Sequence, residues 1–152
     1  MFCNDNDYEP SISVYERERY RRGIYYLNVD GAIVWYKDDK IHKEGDEPAI
    51  ITNSNQMWMK NGKRHRENGK PAVVSNDGFQ AWCINDKYHR DGDEPAIDSR
   101  EAKLWFKNGR KHRDGKKPAV IYLNGNKEYW VNGVLMSTEI KKRSITVPMR
   151  IF

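Results

Sequence analysis

Short apolar runs rich in Val, Ile, Tyr and Trp alternate along this chain with clusters of Asn, Asp and Gly. Each run is about five residues long, which suits strands and is too short for helices. Asn61-Gly62, Asn108-Gly109 and Asn132-Gly133 are strong hairpin signals, because a type I′ turn needs positive φ at both central residues. Asp30-Gly31, Asn76-Asp77-Gly78 and Asn124-Gly125 punctuate the runs at their other end. The pattern predicts an all-β chain: an elongated, twisted antiparallel meander of about ten strands.

Parity within the strands separates two faces. Residues on either side of each Trp point away from it. They are Val34 and Tyr36, Met57 and Met59, Ala81 and Cys83, Leu104 and Phe106, Tyr129 and Val131, all apolar. Two positions after each Trp, on its own face, stand Lys37, Lys60, Ile84, Lys107 and Asn132. In the second strand of each unit, Ile50, Val73, Ile97 and Val120 join the apolar face. Ala49, Ala72, Ala96 and Ala119 join the Trp face, together with Asp98. Each indole is therefore expected to lie over a neighbouring Ala, and Cys83 to act as a small core hydrophobe.

The pattern is periodic. Trp35, Trp58, Trp82, Trp105 and Trp130 are separated by 23, 24, 23 and 25 residues, and His42, His65, His89 and His112 by 23, 24 and 23. Pro48, Pro71, Pro95 and Pro118 keep the same steps, each followed by Ala. The unit reads Trp-x-x-Asn/Asp-Gly/Asp-Lys/Arg-x-His-Arg/Lys, an acidic or Gly turn, then Pro-Ala. Four copies begin at Trp35, Trp58, Trp82 and Trp105; a half copy (Gly23 to Gly31) opens the array and Trp130-Val131-Asn132-Gly133 closes it. This divides the chain into an N-terminal cap (1–22), a repeat sheet (23–133) and a C-terminal cap or tail (134–152). An open sheet needs a cap at each end, and Pro148 suits an edge strand there.

The Trp–Asn-Gly-Lys–His spacing and closing turn resemble the MORN repeat, and more closely a MORN-like variant met in large DNA viruses, phages and bacteria. The chain departs from the usual pattern where Gly follows the His: Lys43, Arg66, Arg90 and Arg113 stand there. Pro-Ala also replaces the Gly-x-Tyr segment. The resemblance implies a single elongated antiparallel sheet and a role in protein contacts, sometimes at membrane surfaces. It transfers no catalytic residue.

Composition narrows the classes further. Five Trp, nine Tyr and four Phe argue against a disordered chain. Cys3 and Cys83 are too few for a disulfide framework or a thiolate metal cluster. No signal-peptide pattern opens the sequence, so a soluble cytoplasmic protein is expected. The net charge of +5 raises nucleic-acid binding. Residues 134–152 supply +3 of it through Lys141, Lys142, Arg143 and Arg150 against Glu139, residues 1–22 carry −1, and the repeats add +3 over 111 residues.

Regular histidines invite a metal or catalytic role, but laddered copies two strands apart are about 9.5 Å from one another, too far to share one ion. A residue repeated in near-identical surroundings has no reason to be activated in one copy. The sequence thus predicts no enzyme, no cofactor, no metal site and structural histidines. The favoured reading is a protein-binding module, in its specific form a virus- or phage-encoded protein that inhibits or recruits a host factor. Its candidate contact face is Trp35, Lys37, Trp58, Lys60, Trp82, Trp105, Lys107 and Trp130. The alternative is nucleic-acid or acidic-lipid binding through that face and the basic tail Lys141, Lys142 and Arg143. Self-association through an apolar terminal segment is a further option.

Overall fold

Five turns set the architecture. The central residues Asp38-Asp39, Asn61-Gly62, Asn85-Asp86, Asn108-Gly109 and Asn132-Gly133 all adopt positive φ, between 50° and 86°. They close five type I′ hairpins, as the Asn-Gly pairs predict. A computed structural model describes residues 32–142 of the chain. The expectations for the N-terminal cap, the opening half copy, Arg143 and the closing apolar run lie outside the described residues.

The described chain is all-β. The strands are β1 (Ile33–Val34), β2 (Tyr36–Lys37), β3 (Lys40–Ile41), β4 (Ile50–Ile51), β5 (Asn55–Met57), β6 (Met59–Lys60), β7 (Lys63–Arg64), β8 (Val73–Ser75) and β9 (Gln80–Ala81). They continue as β10 (Cys83–Ile84), β11 (Lys87–Tyr88), β12 (Ile97–Asp98), β13 (Ala102–Leu104), β14 (Phe106–Lys107), β15 (Arg110–Lys111), β16 (Val120–Tyr122), β17 (Lys127–Val131) and β18 (Val134–Glu139). Ten of them form one antiparallel meander in the order β1-β4-β5-β8-β9-β12-β13-β16-β17-β18. The other eight make four two-stranded hairpins, β2–β3, β6–β7, β10–β11 and β14–β15.

Ten meandering strands match the sequence pattern; the separate hairpins do not. Parity arguments treat Trp as the middle of one continuous strand, whereas the strand breaks at Trp35, Trp58, Trp82 and Trp105. The reason lies in their backbone bonds. Each Trp N–H donates at 2.8 Å to the carbonyl of its own repeat's Ala, inside the large sheet. Each Trp carbonyl accepts from its own repeat's His N–H at 2.9–3.1 Å, inside the hairpin. The Trp is the hinge shared by both ladders.

The hairpins also bond to one another. The second turn residue of one hairpin donates to the hairpin before it: Gly62 to the Ile41 carbonyl at 2.8 Å, Asp86 to Arg64 at 3.0 Å, Gly109 to Tyr88 at 2.9 Å and Gly133 to Lys111 at 2.9 Å. Apolar side chains fill the angle between large sheet and hairpins. In the first repeat Val34 and Ile50 from the large sheet pack with Tyr36 from the hairpin, and Ile41, Met57 and Met59 lean against them. Ala49, Ala72, Ala96 and Ala119 are completely buried, so a larger residue at any of these positions would overpack the site. Cys83 is also buried.

Candidate functional site

Each repeat builds the same assembly around its indole. Trp35, Trp58, Trp82 and Trp105 are buried at 6–7% exposure. The cation that follows the His lies over the ring: Lys43 at 3.7 Å from the Trp35 centroid, Arg66 at 3.6 Å from Trp58, Arg90 at 3.8 Å from Trp82 and Arg113 at 3.8 Å from Trp105. Each of the three arginines also donates Nη1 to its own repeat's Pro carbonyl, at 3.1–3.2 Å. A planar guanidinium can both stack on the indole and reach that part-buried carbonyl.

The histidines bind the hairpins together. Nδ1 of His42, His65, His89 and His112 accepts from the backbone N–H of the next repeat's first turn residue: Asn61 at 3.0 Å, Asn85 at 3.3 Å, Asn108 at 3.1 Å and Asn132 at 3.1 Å. A nitrogen that accepts from a backbone N–H carries no proton, so this hydrogen-bond pattern fits the neutral Nε2–H tautomer at His42, His89 and His112. Nδ1 of His65 also lies 3.1 Å from Asn85 Oδ1, a contact that fits the opposite tautomer.

The outer nitrogens divide the array in two. His89 and His112 donate Nε2–H to Asp91 at 3.1 Å and Asp114 at 2.9 Å. His42 and His65 face the longer Glu44 and Glu67, whose carboxylates come to 3.2 and 3.4 Å and are held below the usual carboxylate range first by Lys37 and Lys60 and then by these imidazoles.

Charge follows the same two-repeat rhythm. Residues 35–57 carry three cations and five acids, 58–81 five and two, 82–104 four and six, and 105–129 seven and two. The geometry uses this alternation. Asp46 in the first repeat pairs with Arg66 at 2.6 Å and with Lys70 of the second. Asp93 in the third pairs with Arg113 and Lys117 of the fourth, both at 2.6 Å. The Arg and Lys hydrogen bonds hold both carboxyls well below the usual carboxylate range. Glu67 is lowered chiefly by Lys60 and Asp114 chiefly by His112.

A cleft of about 360 Å³ opens at each acidic-to-basic junction. The first is lined by His42, Trp58, Lys60, His65, Arg66 and Glu67 among others. The second, 47 residues later, is lined by their counterparts His89, Trp105, Lys107, His112, Arg113 and Asp114. A third cleft of about 430 Å³ lies against Tyr129, Trp130 and Met136.

The residues picked out by sequence fall into separate environments. The four buried indoles offer no open ring face, since cations cover them. Trp130 is half-buried, with Lys111 at 4.4 Å from its ring and Nε1 donating to Glu128 at 2.7 Å. Lys37, Lys60 and Lys107 are exposed and reach across to Glu44, to Glu67 at 2.8 Å and to Asp114 at 3.7 Å, rather than lying over the indoles. Lys141 and Lys142 are exposed. The acid two residues after each His draws these lysines away, leaving the ring to the cation beside the His. Counting residues at the position after each His, as for the Trp and His themselves, exposes Lys43, Arg66, Arg90 and Arg113.

No family model and no solved structure matches this chain. An uncharacterized protein of Acanthamoeba polyphaga mimivirus is 66% identical to it over 29 residues. That stretch spans 18% of this chain and 5% of the viral protein. No helix among the described residues is long and apolar enough to cross a membrane.

Proposed function

We propose that the chain is a non-enzymatic, MORN-like protein-binding module, encoded by a virus or phage and acting in the cytoplasm, that inhibits or recruits a host factor. The supporting observation is how the repeat spends its chemistry. Indoles and imidazoles are consumed in holding the ladder, while Lys37, Lys60 and Lys107 recur outside it in three of the four repeats. An extended regular surface of this kind suits a macromolecular partner. The short identity with a giant-virus protein is in keeping with a viral origin. Photo-crosslinking from positions 60 and 107, in extract of candidate host cells, should capture one reproducible protein. The capture should be lost in K60E/K107E. No such product in any host extract would remove the reading.

One feature favours binding of nucleic acid or acidic lipid instead. Lys40, Lys63, Lys87 and Arg110 form an exposed row along the hairpins with no ion-pair partner among the described residues. Such a row predicts retention of a labelled oligonucleotide or of phosphatidylserine vesicles at low salt, lost steeply as salt rises. Absence of retention at low salt removes it.

A further inference from the structure

We infer that the outer edge of β18 is a docking site for an extended acidic segment of the partner protein, which adds to the sheet as a further strand. The inference rests on the protein-binding reading and narrows it to one place.

β18 closes the ten-strand order and pairs with β17 alone among the described residues. At six residues it is the longest of the described strands, and it is exposed along its whole length. Its outward N–H and C=O groups have no ladder partner there, and such an edge is a template for another strand. Apolar exposure gathers at the same place. Of the seven large apolar side chains exposed among the described residues, Val131, Val134, Leu135, Met136 and Ile140 fall within ten residues of chain, at 44–69% exposure.

The array ends here differently from every earlier repeat. Eight residues after Trp35, Trp58, Trp82 and Trp105 stands the cation that covers the ring, whereas eight residues after Trp130 stands Thr138. β18 also runs straight back along β17, where the earlier repeats loop through Pro-Ala. Trp130 is left half-buried, with Lys111 of the fourth repeat at 4.4 Å from its ring. It lines the third cleft with Tyr129, Val131 and Met136, and the loop from His112 to Lys117 completes the lining.

Charge selects the occupant. Residues 105–142 carry nine cations and three acids, and Asp93, which pairs with Arg113 and Lys117, raises the acids to four. Lys107 pairs with Asp114, Lys111 with Glu128 and Lys127 with Glu139, so every one of those acids is committed. Arg110, Lys116, Lys141 and Lys142 have no ion-pair partner among the described residues. Lys116 lines the cleft, and Lys141 and Lys142 follow β18 closely along the chain. A second copy pairing through its own β18 would bring two such basic ends together. Residues 143–152 of this chain hold two arginines and no acid, so they add to the excess instead of offsetting it. An oligonucleotide would meet the cations but match neither the strand edge nor its apolar side chains. An extended peptide with acidic and apolar side chains answers all three features.

The test adds an end-blocked hexapeptide of alternating Val and Glu to the full chain and follows the ¹H–¹⁵N spectrum. Backbone amides of residues 134–139 and the Trp130 Nε1–H should shift saturably, while the Trp58 and Trp82 Nε1–H resonances stay in place. The same peptide N-methylated at every amide keeps its side chains and charge but cannot donate to a strand, and should not bind. A peptide of alternating Val and Lys should give no saturable shift. The variant K116E/K142E changes two exposed side chains, should fold normally, and should bind the Glu peptide about tenfold more weakly, the order for two exposed pairs turned repulsive. Equal binding of the methylated peptide would overturn the inference, because charge alone would then hold it. So would saturation of the β18 amides by a labelled oligonucleotide in place of the peptide, or contacts between β18 and residues 145–152 of the free chain that the peptide fails to displace. If the peptide binds but no host protein is captured, the edge site stands and the wider reading falls; if a protein is captured but the peptide does not bind, the edge site alone is lost.

Discussion

The Nδ1 atom of His89 accepts a 3.1 Å hydrogen bond from the backbone N–H of Asn108, the residue that opens the next repeat's hairpin turn. The bond joins neighbouring repeats through residues 19 apart and depends on the ring carrying no proton at that nitrogen. Replacing His89 with Ala removes the acceptor, the bond to Asp91 and part of the packing. The turn N–H beside it is exposed and can turn to water, which limits the loss to about 1–2 kcal/mol. Urea unfolding measures it. Long-range ¹H–¹⁵N spectra should also show His42, His89 and His112 as the same Nε2–H tautomer; one Nδ1–H ring among these three breaks the equivalence.

Arg113 combines three contacts, over Trp105 at 3.8 Å, to Asp93 at 2.6 Å and to the Pro118 carbonyl at 3.2 Å. Arg113→Ala exposes the indole and strips that carbonyl, at a cost of about 2–3 kcal/mol. Arg113→Lys keeps a cation over the ring, as Lys43 does over Trp35, and should recover about half of the loss. Equal destabilisation by the two substitutions would mean that the stacking contributes nothing.

Asp86 occupies a turn position where even-numbered repeats have Gly, at φ 65°. Two effects oppose each other in Asp86→Gly. Glycine relieves about 1 kcal/mol of left-handed strain. It also gives up bonds that the Asp86 carboxylate accepts from the Arg64 backbone N–H at 2.8 Å and Nε at 3.1 Å, together worth about 1.5–3 kcal/mol, and it loosens the unfolded chain. The bonds outweigh the strain, so the variant should be less stable by about 1 kcal/mol. A stabilised Asp86→Gly in calorimetry shows the reverse order of effects.

These three sites mark what the sequence discloses and what it hides. Asn61-Gly62 and its counterparts announce a turn through local backbone sterics, and Val73 or Val120 announce a strand through alternation, so the ten-strand meander is legible. The strand break at Trp58 is not. It depends on a backbone carbonyl paired to His65, a bond that no side-chain pattern encodes. The Asp46–Lys70 contact spans 24 residues and becomes visible only when acids and bases are compared between successive copies.

Acid should weaken the array in a defined window. Asp46 and Asp93 are held below their ordinary 3.8, first by Arg66 and Arg113, and Glu67 below its ordinary 4.5, first by Lys60. In the unfolded chain these carboxyls take up protons at their ordinary values, before the folded ones do. Their contribution is therefore complete above about pH 4.5 and drains away as the pH falls through 3.8 and lower. Melting temperature should decline as the pH falls below about 4.5. Asp46→Asn with Asp93→Asn should flatten that decline, and an unchanged slope would assign it to other groups.

The alternation of acidic and basic repeats supplies what a perfect repeat lacks, a reason not to slip by one unit. Removing residues 58–81 sets the first repeat against the third, so Asp46 keeps an arginine, Arg90, but meets Glu94 where Lys70 had been. Removing residues 58–104 takes out twice as much chain, yet sets Asp46 against Arg113 and Lys117, the same pair of partners it has in the intact protein. The backbone ladder is rebuilt equally in both, because each deletion ends at a Trp. The shorter deletion should therefore carry a penalty that the longer one lacks, and only that penalty should respond to ionic strength. Exposed pairs are screened beyond about 10 Å at 0.1 M salt and beyond about 3 Å at 1 M. Melting curves at the two salt levels should show the 58–81 deletion gaining stability relative to the 58–104 deletion as salt rises. A gap that ignores salt would place the register in the packing of Trp and Ala and leave the charges as solubility alone.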